Sequence, residues 1–368
     1  MKIVVIKESK PNENRVALSP TVALALIKLG YTISIECNAG YASNFSDEAY
    51  KNTGCELSSD KSSLLSSAQI VLKVNAPTVD EIALMKNGTI SISYLYHAFN
   101  AELVKTLADK GISAISMDAI PRISRAQNMD ALSSQNNLAG YKAVILGSNH
   151  LAKIFPLLMT SAGTITPSRV LIYGAGVAGL QAVATAKRLG AIVEVTDVRP
   201  ETKEQVESLG GKYIEVKDAE AAKVEGGYAK EVSADYLQKQ KEAVNKSLFQ
   251  ADLVITTALV MGKKAPVLIT EEQVKQMKLG SVIVDMAVEQ GGNCELSELD
   301  KVVVKHGVTL VGQSNLPSTL PQNASELYAK NIQNLLALLA TKDGFKWEME
   351  EEITKGTLIT HQGNILKP

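Results

Sequence analysis

The chain has 368 residues, 45% of them hydrophobic, which is enough to bury substantial cores and points to two or three domains. Lys and Arg number 38 against 39 Asp and Glu, so the net charge of −1 supplies no basic excess for nucleic acid or an anionic membrane surface. No run approaches ~18 apolar residues, "MKIVVIKESK" lacks the pattern of a secretory signal, and Cys37, Cys55 and Cys294 form no CxxC pair, so the expectation is a soluble cytoplasmic protein with idle thiols.

In chain order, "KIVVI" reads as a strand and "SPTVALALIKLG" as a helix with Ser19 as N-cap, Pro20 in its first turn and Gly30 beyond its end. "TISIEC", "AQIVLKV" and "GTISISYLY" read as further strands, and "AELVKTLADKG" as a helix. "ISAISMDAI" leads into a polar loop, "RISRAQNMDALSSQNNLAGY", and the stretch "NLAGYKAVILGSNHLAKIFPLLM" is expected to be helical over much of its length. "SRVLIYGAGVAGLQAVATAKRLGAIVEVTDVRP" opens a second unit with later strands "ADLVITTAL", "SVIVDMAV" and "VTLVG"; a tail helix, "SELYAKNIQNLLALLATK", and a short hairpin, "TKGTLITHQGNIL", follow. Strands alternating with helices predict an α/β fold of two Rossmann-like parallel-sheet domains. The nucleotide domain, 136–317, would be inserted in a discontinuous first domain made of 1–135 and 318–368.

"GAGVAG" follows a strand, opens a helix, and is followed by a second strand ending at Asp197. That context turns a weak G-x-G-x-x-G match into a specific dinucleotide signal. Gly174 serves the tight turn, Gly176 lets backbone approach a pyrophosphate, and Gly179 permits close helix–strand packing. Val177 lies in the same turn, which opens the helix "LQAVATAKRLG", and the helix N-terminus offers N–H groups and partial positive charge to phosphates. Asp197 would accept the adenosine ribose hydroxyls and repel a 2′-phosphate, favouring NAD over NADP; Val198 and Arg199 flank it, and Arg199 would take a phosphate or stack on adenine.

The polar loop has two readings on chemistry alone. Arg122, Gln127 and Asp130 can serve a carboxamide, a ribose or a pyrophosphate, with Ser133 and Ser134 capping a helix that starts at "SSQN". Alternatively Asp130, Ser133 and Ser134 are all local caps and Arg122 pairs with a carboxylate.

"RISRAQNMDALSSQNNLAGY", "GAGVAGLQAVATAKRLGA", "TKEQVESLGGKY", "GGYAKE", "ITTAL" and "DMAVEQGGNCELSE" resemble the NAD(H)-binding component of proton-translocating NAD(P) transhydrogenase, in the alanine dehydrogenase/transhydrogenase family. The resemblance runs from "KESKPNENRVALSP" to about residue 335. It implies an oxidoreductase that binds NAD(H) and passes hydride directly to or from NADP(H) on a partner component. A separate membrane-spanning subunit would couple the transfer to proton translocation, and the chain would be a homodimer, peripheral to the membrane through its partners. It also implies that Arg122 and Asp130 orient the nicotinamide and its ribose, that Gln127 holds or bridges the two nucleotides, and that Ser133 joins them. "EGGYAKE" would be a lid, with Gly226 and Gly227 as pivots and Tyr228 as its contact, and Gln240 and Leu259 would touch NAD(H).

Alanine dehydrogenase is the alternative. Its pattern has a substrate Lys where this chain has Asn75 and a catalytic His where it has Tyr96; Lys73 is kept, and His97 is one residue out of register, which in a strand points to the opposite face. His150, His306 and His361 read as structural or solvated, and no His, Cys or carboxylate spacing predicts a metal.

Overall fold

The structure, a computed structural model, describes residues 1–215, 234–259, 264–341 and 343–367. The chain forms two compact units, Met1–Asn136 with Pro317–Pro368, and Asn137–Leu316.

The strands of the first stretch are β1 (Lys2–Val5), β2 (Thr32–Glu36), β3 (Glu56–Ser58), β4 (Ile70–Leu72), β5 (Ile90–Ser93) and β6 (Ser113–Ser116). In the second unit come β7 (Leu158–Thr160), β8 (Gly163–Ile165), β9 (Arg169–Tyr173), β10 (Ile192–Thr196), β11 (Lys212–Tyr213), β12 (Leu253–Thr256), β13 (Val282–Asp285), β14 (Val302–Lys305) and β15 (Val308–Val311). Back in the first unit are β16 (Ala340–Thr341), β17 (Gly344–Phe345), β18 (Leu358–His361) and β19 (Asn364–Ile365).

The first sheet runs β19-β18-β6-β5-β4-β1-β2-β3, and the second β11-β10-β9-β12-β13-β15-β14. Pairing is parallel except at one edge of each sheet, where β18 and β19, and β14, run antiparallel. Each order reverses beside its first strand, between β1 and β4 and between β9 and β12. This is the doubly wound arrangement that places a ligand crevice at the carboxyl ends of the two strands flanking the reversal.

The central strands are near-continuous apolar runs because both faces are covered. In β9, Val170 and Ile172 enter one core cluster, and Leu171 and Tyr173 the other. β1 divides in the same way, with Ile3 and Val5 on one side and Val4 on the other. Each Ile or Leu so enclosed contributes roughly 1.5–3 kcal/mol by leaving water.

Ser19 caps the helix Pro20–Lys28, as its sequence indicates, accepting the Val22 N–H. Two readings need correction. The linking helix ends at His150, and Leu158 and Met159, the end of the stretch read as largely helical, pair antiparallel with β8 instead. In the tail, "TKGT" ends a short helix, Glu352–Thr357, and the hairpin is confined to β18 and β19, turning through Gln362 and Gly363, both at positive φ.

Candidate dinucleotide site

The glycine turn lies at the carboxyl end of β9, at the strand-order reversal. Gly174 has φ 99°, and a Cβ there would run into the Thr257 hydroxyl, so both conformation and packing require glycine. A Cβ on Gly179 would overlap the Gly174 carbonyl oxygen, which is how the helix Val177–Arg188 packs closely on the turn. Gly176 differs: its φ of −78° suits any residue, and a Cβ would meet nothing within 4 Å among the described residues. It is the N-cap of that helix and makes no side-chain cap hydrogen bond, so its own side chain satisfies none of the first-turn N–H groups. An anion placed there would satisfy them, and its close approach would require position 176 to lack a side chain. The site therefore fits a pyrophosphate.

Asp197 follows β10 directly. Its carboxylate accepts the Ala175 N–H at 2.6 Å and the Arg199 N–H at 2.8 Å, and pairs with the Arg199 guanidinium through Nε and Nη2 at 3.0 Å each. Burial pushes this carboxyl up, but the Arg199 side chain and the two backbone N–H groups outweigh it and hold the group below the usual carboxylate range. Arg199 is thus engaged with Asp197, a third arrangement beside the phosphate and adenine roles expected of it. Val198 is 90% exposed beside them.

On the other side of the reversal, Thr257 follows β12 and donates its hydroxyl to the Tyr173 carbonyl at 2.9 Å. Leu259 is exposed two residues on, and Gln240 is half-buried on the helix Ala234–Leu248. Gly226, Gly227 and Tyr228, the expected lid, lie outside the described residues.

Arg122, Gln127, Asp130 and Ser133 lie together in the first unit. Gln127 sits in the 3₁₀ turn Ser124–Met129, and it is exposed while Arg122 leads into that turn. The linking helix starts at Ala131, not at "SSQN". Asp130 is its cap, accepting the Ser133 N–H at 2.9 Å and the Ser133 hydroxyl at 2.6 Å, while the Ser134 hydroxyl donates back to the Asp130 carbonyl at 3.0 Å. Ser133 and Ser134 are therefore first-turn residues. The local-cap reading holds for Asp130, whose carboxylate still borders the exposed loop.

The positions that would serve amino-acid oxidation are otherwise used. Asn75 donates to Glu8 at 3.2 Å and Glu13 at 3.0 Å, a neutral bridge between two acids. Lys73 is 1% exposed and paired with Glu81 at 3.0 Å. Tyr96 stands past the end of β5 with φ 45°, so strand alternation does not govern it or His97; the register argument against His97 falls, while the absence of His at 96 stands.

Two residues of "DMAVEQGGN" have a place that no motif assigns them. Asp285 is fully buried at the end of β13, and Asn293 is fully buried beside the segment after β12. The signal available in the sequence is an acid ending a strand, followed by two glycines and an amide.

Two family descriptions match the chain: "Alanine dehydrogenase/PNT, N-terminal domain" over residues 4–139 and "Alanine dehydrogenase/PNT, C-terminal domain" over 143–368. An NAD(P) transhydrogenase subunit alpha polypeptide of Rhodospirillum rubrum is 50% identical, the match covering 100% of this chain and 98% of that one. Alanine dehydrogenase 2 of Staphylococcus aureus is 31% identical, with 99% and 94% covered. The crystal structure of transhydrogenase from Sinorhizobium meliloti superposes with a TM-score of 0.91 at 40% identity, covering 99% of this chain and 100% of that one. With both domains matched and half of its residues shared with a transhydrogenase subunit, the chain belongs to the alanine dehydrogenase/PNT family and, within it, to the NAD(P) transhydrogenase alpha-subunit family.

Proposed function

We propose that this chain binds NAD(H) at the Gly174–Gly179 turn and acts as the NAD(H)-binding component of a proton-translocating transhydrogenase. The observation that carries the reading is Gly176, a glycine that neither its backbone angles nor its neighbours among the described residues require, at a helix N-terminus with no side-chain cap hydrogen bond. NAD(H), when bound, supplies or accepts the hydride. Gly174, Gly176, Val177 and Gly179 would hold the pyrophosphate, Asp197, Val198 and Arg199 the adenosine half, and Gln240 and Leu259 further parts of the dinucleotide. Transfer between two nicotinamides needs alignment rather than an acid, base or nucleophile, and Arg122, Gln127, Asp130 and Ser133 are assigned to that alignment.

NADP(H) would sit on a partner component, and a membrane-spanning subunit would carry the coupled protons. The placement that goes with this reading is cytoplasmic and peripheral, through those partners; no described helix is long and apolar enough to cross a membrane. A homodimer is supported by the β7–β8 hairpin: Leu157, Leu158, Met159 and Ile165 are 53%, 44%, 74% and 45% exposed. Two strands alone are marginal in water, and apolar groups so displayed call for a covering surface. Met159→Glu is expected to shift the chain from dimer to monomer in sedimentation equilibrium; an undisturbed dimer would remove the hairpin from the interface.

Cofactor choice tests the site. A 2′-phosphate brought to the Asp197 carboxylate meets a like charge, and Arg199 is held in the Asp197 pair. The chain is expected to bind NADH at least ~10-fold tighter than NADPH by calorimetry. Equal affinities would overturn the role given to Asp197.

A further inference from the structure

Asn293 follows two glycines in left-handed conformation, Gly291 at φ 98° and Gly292 at φ 81°. Every polar atom it has is engaged. Its N–H donates to the Asp285 carboxylate at 2.9 Å, and its carbonyl accepts the N–H groups of Leu268 and Ile269 at 2.8 and 3.0 Å. Its side-chain oxygen accepts the Ala258 N–H at 3.0 Å, and its side-chain nitrogen donates to the carbonyls of Ala258 and Pro266 at 2.9 and 2.8 Å. One donor and two acceptors around the amide allow a single orientation. Asp285 anchors this residue in turn: it also accepts the Cys294 and Ala287 N–H groups at 3.0 Å each and the Thr256 hydroxyl at 3.1 Å.

The side chain of Asn293 therefore pairs with Ala258 as a neighbouring strand would, at a place where β12 has ended and the segment Thr257–Leu259 begins. That segment leaves the β12 side of the strand-order reversal, whereas Asp197 stands on the β10 side. A dinucleotide lies across the reversal, so with adenosine toward Asp197 its other half is directed toward Thr257–Leu259.

We propose that Asn293 is a positioning residue for the nicotinamide half of NAD(H), acting through Ala258 to hold the Thr257–Leu259 segment in place. This rests on the dinucleotide reading above. A site supported by a buried, fully satisfied side chain keeps its position; one whose support is cut loosens by the ~1 Å that degrades recognition.

The experiment compares NADH with ADP-ribose, the same molecule without its nicotinamide, by calorimetry on the full chain. Asn293→Ala is expected to weaken NADH ~10-fold while ADP-ribose changes less than ~2-fold, because only the nicotinamide half depends on the segment. Equal weakening of both ligands, or none of either, overturns the assignment. If the variant does not fold, amide exchange on the unaltered chain decides. Protection of the Ala258 N–H without nucleotide supports the proposal, and exchange at the rate of an unbonded loop overturns it. An unaltered chain that binds neither ligand removes the dinucleotide reading and this proposal with it.

Discussion

Gly176→Ala is expected to reduce NADH affinity by about 100-fold without lowering the melting temperature, the loss corresponding to roughly 2.7 kcal/mol of binding. The structure separates these two effects. Alanine adopts φ −78° and ψ −172° without strain, and its methyl group would have no atom of the described residues within 4 Å. Removing a glycine also restricts the unfolded chain, which stabilises the fold by ~0.4–1 kcal/mol where the native angles are compatible. The methyl group would, however, fill the place where phosphate oxygens meet the first-turn N–H groups, holding the anion away from donors whose strength falls steeply with distance. Gly179→Ala gives the opposite pattern: its Cβ would enter the Gly174 carbonyl, so that variant is expected to lose stability first and binding as a consequence. The comparison is calorimetry with NADH beside thermal unfolding of both variants. A Gly176→Ala chain that keeps NADH affinity within ~3-fold would place the pyrophosphate elsewhere and remove the observation on which the proposed function rests.

The parts of this fold that are legible in the sequence are those where burial repeats. "RVLIY", "LVIT" and "VIVD" read as strands because both faces of the central strands are covered, leaving unbroken apolar runs of strand length. The glycine turn is legible because its strand, its helix and the acid at the end of the next strand all lie within a short stretch of chain. The β7–β8 hairpin is not: its Leu158 and Met159 are exposed, so their apolar character continues the preceding helix pattern, and only Pro156 hints at a stop. The cap of the linking helix is Asp130 rather than Ser133 or Ser134, although all three are good caps, because which one bonds to which N–H is settled by geometry. Tyr96 reads as part of a strand in the sequence, yet its left-handed backbone starts a turn. Asn293 is beyond reach for another reason: its side chain bonds to Pro266 and Ala258, 27 and 35 residues away, and no local pattern reports such distant partners.

The polar loop carries the other large effect. Gln127 is exposed in the turn Ser124–Met129, and its backbone carbonyl accepts the Asp130 N–H at 3.3 Å, so the turn is held by backbone and by the Asp130 cap rather than by the Gln127 side chain. Shortening that side chain is therefore expected to leave stability within ~0.5 kcal/mol of the unaltered chain, as for other surface changes. Its proposed task is different: to hold the nicotinamide of NAD(H) in register with that of NADP(H). Gln127→Asn removes one methylene and withdraws the amide by about 1 Å, a displacement that can cost on the order of 100-fold in rate when the reacting carbons must be aligned. The measurement mixes the chain with a soluble NADP(H)-binding component of a transhydrogenase and follows hydride transfer between the bound nucleotides by stopped flow. The variant is expected to keep NADH affinity within ~3-fold and lose most of the transfer rate, a split that separates alignment from binding. Pyruvate and ammonium, offered to the unaltered chain alone, should oxidise no NADH, since Asn75 bridges two acids where a cation would be needed and Tyr96 is no imidazole. Transfer at the normal rate in the Gln127→Asn chain would reduce Gln127 to a surface residue, and pyruvate-dependent oxidation would move the chain to the alanine dehydrogenase side of its family.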